Sequence, residues 1–126
     1  MMIKRGDIYY ADLGVKPGSV QGGLRPVVVI QNDVGNAFSS TTIVLPLTTK
    51  IKRNLPTHTL IKSDDIVGLD RDSLVLSEQV LTIDKNQLKD KLCTLNAYYM
   101  QKIKESMEIS FGFVDISPKK QQIICA

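Results

Sequence analysis

The chain has 126 residues and a mass of 14.0 kDa, enough for one compact domain and too little for a second catalytic one. Hydrophobic residues make up 43% and charged residues 23%, the balance of an ordinary soluble globular protein, which excludes a disordered or collagen-like chain. The net charge of +3 permits an anionic partner without demanding one.

The longest apolar run, residues 26–30, falls far short of the roughly 18 residues that a membrane span needs. The opening Met-Met-Ile-Lys-Arg-Gly lacks a signal peptide's apolar segment, so the expected location is the cytoplasm. Cys93 and Cys125 have neither the spacing of a metal knuckle nor that of a redox pair, and no disulfide framework is expected.

In chain order, residues 7–13, rich in Ile and Tyr, and the Val/Ile run at 26–32 predict two strands joined by a loop at 14–24. Gly14, Gly18, Gly22 and Gly23 in that loop mark backbone that is mobile or brought close to a ligand. The alternative is simply a long hairpin connection. Within 31–40, Asp33 as N-cap with Gly35 and Asn36 as breakers predicts a short helical turn. Residues 42–48 resume β-type composition, and Pro46, which has no N–H, points to an edge, a bulge or the strand's end. A polar loop at 49–56, a strand at 58–62 and a turn-rich stretch at 64–72 follow.

Residues 73–83 read as the longest strand, crossing the core with a bend at Ser77 and Glu78. Asp84 caps a predicted helical turn over 84–88, and a short strand is expected at 91–94. From Asn96 onward, Met100, Ile103, Met107, Ser110, Phe111 and Val114 recur at helical spacing and predict one long helix whose stripe packs on the sheet. The fold expected is mostly β with a C-terminal helix (α+β), a small, SH3-like, partly open antiparallel barrel occupying residues 1–116, followed by a polar tail at 117–126.

Three segments carry a family resemblance: Lys4-Arg5-Gly6-Asp7-Ile8-Tyr9; the run from Gly18 to Asn32 with Gly22-Gly23-Leu24-Arg25-Pro26 at its centre; and Ile43 to Thr48. In order and spacing they resemble the MazF/PemK toxins. The likeness continues through Leu55-Pro56-Thr57-His58, Asp72-Ser73, Ser77-Glu78-Gln79-Val80 and Thr82-Ile83-Asp84, so it spans about residues 3–116. The resemblance implies a homodimer that cuts single-stranded RNA at short sequences and is held inactive by a cognate, MazE-like antitoxin. It also implies that Arg25 and Thr48 stand at the family's catalytic positions.

RNA carries its own nucleophile, the 2′-hydroxyl, so transesterification to a 2′,3′-cyclic phosphate needs no metal-activated water, and no catalytic ion or other cofactor is expected. Asp64-Asp65 and Asp70-x-Asp72 sit in a turn-rich segment and read more simply as caps and turn residues. A guanidinium meets two phosphorane oxygens with a planar pair of donors, the role expected of Arg25, with the Thr48 hydroxyl donating to a phosphate oxygen. The alternative is that Arg25 is a surface ion-pair residue and Thr48 a strand end. His58, the only histidine, is the obvious general base by pKa, but a lone strand histidine is more often structural and the family's catalytic pair does not include this position.

RNA sequence is read on unstacked bases, and Ser19, Gln21, Asn32, Thr49 and Gln79 offer neutral donors and acceptors for that, with Leu55 and Pro56 as apolar contacts and Glu78 as a further candidate. All are equally plausible loop residues. Two rival functions use the same fold: an RNA-binding barrel without catalysis, and a gyrase-binding, CcdB-like toxin. The latter resembles a group that docks through a C-terminal Trp, and this chain has no Trp.

Overall fold

The computed structural model describes residues 2–51 and 55–116. The predicted tail at 117–126 and part of the predicted 49–56 loop therefore lie outside the described residues.

Among the described residues, seven strands and two α-helices follow one another: β1 (Asp7–Asp12), β2 (Leu24–Val29), α1 (Asp33–Phe38), β3 (Thr41–Thr48), β4 (His58–Ile61), β5 (Ser73–Leu76), β6 (Leu81–Asp84), β7 (Leu88–Thr94) and α2 (Ala97–Ser110). The strand order is β4-β5-β3-β2-β1-β7, every pairing is antiparallel, and β6 adds to β3 off that path. The sheet does not close, and α2 packs against β4. This is the mostly β, partly open architecture that the strand-rich pattern predicts.

Alternation along the strands explains why their sequences read as continuous apolar runs. Ile8, Val28, Leu45 and Leu47 point into one core with Ile61, Val75, Tyr99 and Ile103, whereas their neighbours Tyr9, Val27, Val29 and Val44 point into a second with Leu13, Ile83 and Leu88. Because the curled sheet buries both faces, Val27-Val28-Val29 is fully buried without a polar alternate.

The predicted long strand at 73–83 is two strands. β5 pairs with Leu47 and Thr48 at the end of β3, and β6 pairs with Thr41 to Val44 at its start. β3, not 73–83, is the longest strand. Pro46 is neither at an edge nor at the strand's end: it pairs with Val27 in the sheet interior and falls in the gap on the other side between the β6-paired and β5-paired stretches. A residue without an N–H fits where one partner has left and the next has not begun.

The caps place the helices. Asn32, not Asp33, caps α1, accepting the Gly35 N–H at 2.8 Å, while Asp33 enters the first turn and accepts the Arg5 N–H at 2.7 Å. Asp84 caps the turn at Lys85–Gln87 as predicted, in a reciprocal capping box with Gln87. Asn96 caps α2 through the Tyr99 N–H at 3.0 Å. Of the predicted stripe, Ile103 is fully buried and Met100 and Met107 pack on the core. Phe111 and Val114 lie past the helix end and are 44% and 47% exposed. Gly112, at φ +76°, turns the chain there. Tyr99 and Ser106 take the buried places instead, Ser106 Oγ lying 2.9 Å from Thr59 Oγ1.

Candidate active site

The loop between β1 and β2 is a structured pinch. Leu13 N–H donates to Gly23 O at 2.9 Å and Gly23 N–H to Gly14 O at 2.7 Å. A Cβ on Gly22 would stand 2.6 Å from the Gly14 carbonyl oxygen, so only glycine lets the two arms approach this closely. That approach presents the Gly22 carbonyl to Arg25, whose Nε donates to it at 2.8 Å, while Arg25 Nη1 donates to Gln21 Oε1. The guanidinium is thus held by the loop that precedes it, with its other N–H donors uncommitted among the described residues.

Arg25, at the start of β2, opens into a cavity of about 280 Å³ whose far wall is the end of β3. Gln21, Thr48 and Thr49 line the same cavity. Thr48 Oγ1 accepts the Lys50 N–H at 3.1 Å, which orients the hydroxyl oxygen at the strand end. The strand pairing Val27↔Pro46 sets β2 against β3 in the register that brings the two strand ends to one place. Lys50 and Ser73 also line it, and among the described residues no Asp or Glu does. Sequence reasoning did not single out Lys50 or Ser73. A cation directly after Thr48-Thr49 was the available signal for the first, whereas Ser73 reaches the site only because β5 pairs with the end of β3.

The other candidates lie elsewhere. Ser19 lies in the loop and Gln79 braces it from the β5–β6 turn: Gln79 Oε1 accepts the Gln21 N–H at 2.8 Å and its Nε2 donates to Ser19 O at 3.2 Å. Asn32 is the α1 cap, remote in role from the cavity. Pro56 lines a different groove, of about 500 Å³, between β4 and α2, and the Leu55 carbonyl accepts the His58 N–H at 2.9 Å. Glu78 pairs with His58, Oε1 to Nε2, at 3.0 Å. Burial pushes the Glu78 carboxyl up, but the hydrogen bond from His58, that from its own backbone and the His58 charge outweigh it and hold the group below its ordinary value. His58 thus stands with Glu78 at the groove and does not line the Arg25 cavity.

A pocket with a fixed guanidinium, a lysine, three hydroxyl side chains and no acid among its described lining residues suits a phosphate undergoing charge build-up. Comparison with known proteins agrees. Residues 4–111 match the family described as PemK-like, MazF-like toxin of type II toxin–antitoxin system. The chain is 50% identical over 116 residues to the endoribonuclease EndoA of Bacillus subtilis, covering 91% of this chain and 99% of that protein. It is 47% identical over 120 residues to the endoribonuclease MazF of Staphylococcus saprophyticus, covering 94% and 99%. Among solved structures, a mycobacterial endoribonuclease in complex with its cognate antitoxin superposes with a TM-score of 0.74 at 24% identity, over 90% of this chain and 99% of that one. MazF of Deinococcus radiodurans does so at 0.75 and 18% identity, over 89% and 98%. The chain therefore belongs to the PemK-like, MazF-like toxins of type II toxin–antitoxin systems.

Proposed function

We propose that the chain is a toxin endoribonuclease that cuts single-stranded RNA by attack of the 2′-hydroxyl on the adjacent phosphorus, leaving a 2′,3′-cyclic phosphate and a 5′-hydroxyl. The observation that carries this reading is the shared cavity of Arg25 and Thr48, with no carboxylate among its described lining residues. Arg25 stabilises the charge that gathers on the phosphorane oxygens, and Thr48 donates its hydroxyl to one of them. Gln21 and Thr49 contact RNA in the cavity itself, and Ser19 and Gln79 belong to the hydrogen-bonded loop and turn beside it. A track that also used Asn32, Leu55, Pro56 and Glu78 would have to extend well beyond it.

The protein acts in the cytoplasm as a homodimer, and its partner is a MazE-like antitoxin whose acidic segment competes with RNA phosphates for the cationic cavity. Among the described residues no group of three His, Cys, Asp or Glu side chains gathers as a metal cage. The test is digestion of a long mixed-sequence RNA with identification of the ends. Cyclic phosphate ends formed undiminished in EDTA are expected. Loss of cutting in chelator with recovery on adding Mg²⁺, or cutting of an RNA that is deoxy at the cleaved nucleotide, would overturn the mechanism.

A further inference from the structure

The loop over 14–24 is pinched at its base, but its outer half has little to hold it. Between residues 15 and 21 the internal backbone hydrogen bond is Val20 N–H to Pro17 O, at 3.3 Å. Among the described residues, two further bonds tie the backbone of this stretch to the rest of the fold, and both end on one side chain: Gln79 accepts from the Gln21 N–H and donates to the Ser19 carbonyl. Gln79 lies in the turn between β5 and β6, where its own N–H donates to Leu76 O at 3.1 Å, so it is anchored to the sheet. A primary amide carries an acceptor oxygen and two N–H donors side by side at its end, and Gln79 spends one of each on the two residues that bracket Val20.

Gln21 is in turn the residue whose side-chain oxygen accepts from Arg25 Nη1, beside the Gly22 carbonyl that accepts from Nε. A continuous hydrogen-bonded path therefore runs from the β5–β6 turn through Gln79 and the Gln21 backbone to the guanidinium. We propose that Gln79 is a positioning residue for Arg25: it pins the outer loop to the sheet so that Gln21 and Gly22 hold the guanidinium in the orientation a phosphate needs. This rests on the reading of Arg25 as the phosphate-stabilising group. Since misplacement of a catalytic group by about 1 Å costs on the order of a hundredfold, a residue that touches neither phosphate nor Arg25 can still set the rate.

A direct contact of Gln79 with an RNA base would also make Gln79 matter, and the two roles separate without RNA present. In the free protein, Gln79→Leu should speed amide hydrogen exchange at Gln21 and at Arg25 Nε by at least about tenfold, because opening of the loop becomes easier. Gln79→Glu keeps an acceptor for Gln21 and should retain most of the Gln21 protection. On an RNA with a single cleavage site, Gln79→Leu should lower kcat about tenfold and change KM by less than about twofold, and the Gln21→Ala/Gln79→Leu double variant should be no slower than the slower single. Unchanged exchange at both positions in correctly folded Gln79→Leu, or rate losses in the two singles that multiply in the double, would overturn the proposal and assign Gln79 to substrate contact. An Arg25→Ala protein that cuts normally would instead remove the functional reading of Arg25, while the exchange data would still report on the tether.

Discussion

Two of the concavities that face solvent differ in kind, and the larger of the pair is the less suited to chemistry. The groove between β4 and α2, about 500 Å³, is lined by Lys62 and Lys102 but equally by Asp65 and Glu105. Its polar groups answer one another: Tyr99 OH donates to Asp65 Oδ2 at 2.5 Å and accepts the Lys62 N–H at 3.2 Å, and Lys62 Nζ lies 3.6 Å from Asp72. The cavity at Arg25, about 280 Å³, collects cations and hydroxyls, with no acid among its described lining residues. Volume records where elements fail to meet, whereas unbalanced charge records what the opening is able to hold. The difference teaches that the site is found by its uncommitted donors.

Substitutions on the two sides break or sharpen this contrast. Arg25→Ala should lower the cleavage rate by at least about a hundredfold, the scale of removing one donor to a developing oxyanion, with thermal unfolding unchanged. Thr48→Ala should cost about five- to tenfold, as for one neutral hydrogen bond. Normal cutting by a folded Arg25→Ala protein would remove the cavity from consideration.

In the groove the expectation reverses. Tyr99→Phe deletes a buried hydroxyl with two partners and should destabilise the fold by about 1 to 2 kcal/mol, read as a lower midpoint in urea, while kcat/KM at permissive temperature stays at the parent value. A large fall in kcat/KM with unchanged stability would move RNA into the groove.

The smallest effect is at His58 and Glu78. Glu78 has a folded pKa below its ordinary value of 4.5, so its ionised form is favoured by folding. The stability this gives is present above the unfolded value and is lost as pH falls through the folded one. Glu78→Gln should therefore flatten the decline of stability below about pH 4.5 and leave the neutral-pH rate nearly intact, as should His58→Gln. Acid unfolding curves of parent and variant that superpose would show that the pair contributes nothing to folding.

The sequence by itself determined what local chemistry decides. Asp84 is a capping residue at the start of a helical turn, the spacing of Met100, Ile103 and Met107 is helical before any partner is known, and the glycines of 14–24 mark a loop that joins two strands. It also supplied Arg25, Thr48, Gln21 and Thr49, residues that the fold then gathers in one cavity. Only the tertiary structure decided what depends on a distant partner. Residues 73–83 have β-type side chains throughout, and nothing local says that β5 and β6 pair with opposite halves of β3. The same break turns Gln79 toward the loop, and the pairing of β5 with β3 carries Ser73 to the cavity. Asp33, expected as the α1 cap, accepts the Arg5 N–H from inside the first turn, and Asn32 caps the helix instead. Phe111 and Val114 continue the helical spacing but not the helix, because Gly112 ends it. Spacing records which faces a segment offers; which of them is covered depends on surfaces brought from elsewhere in the chain, and those are set by the packing of the whole sheet.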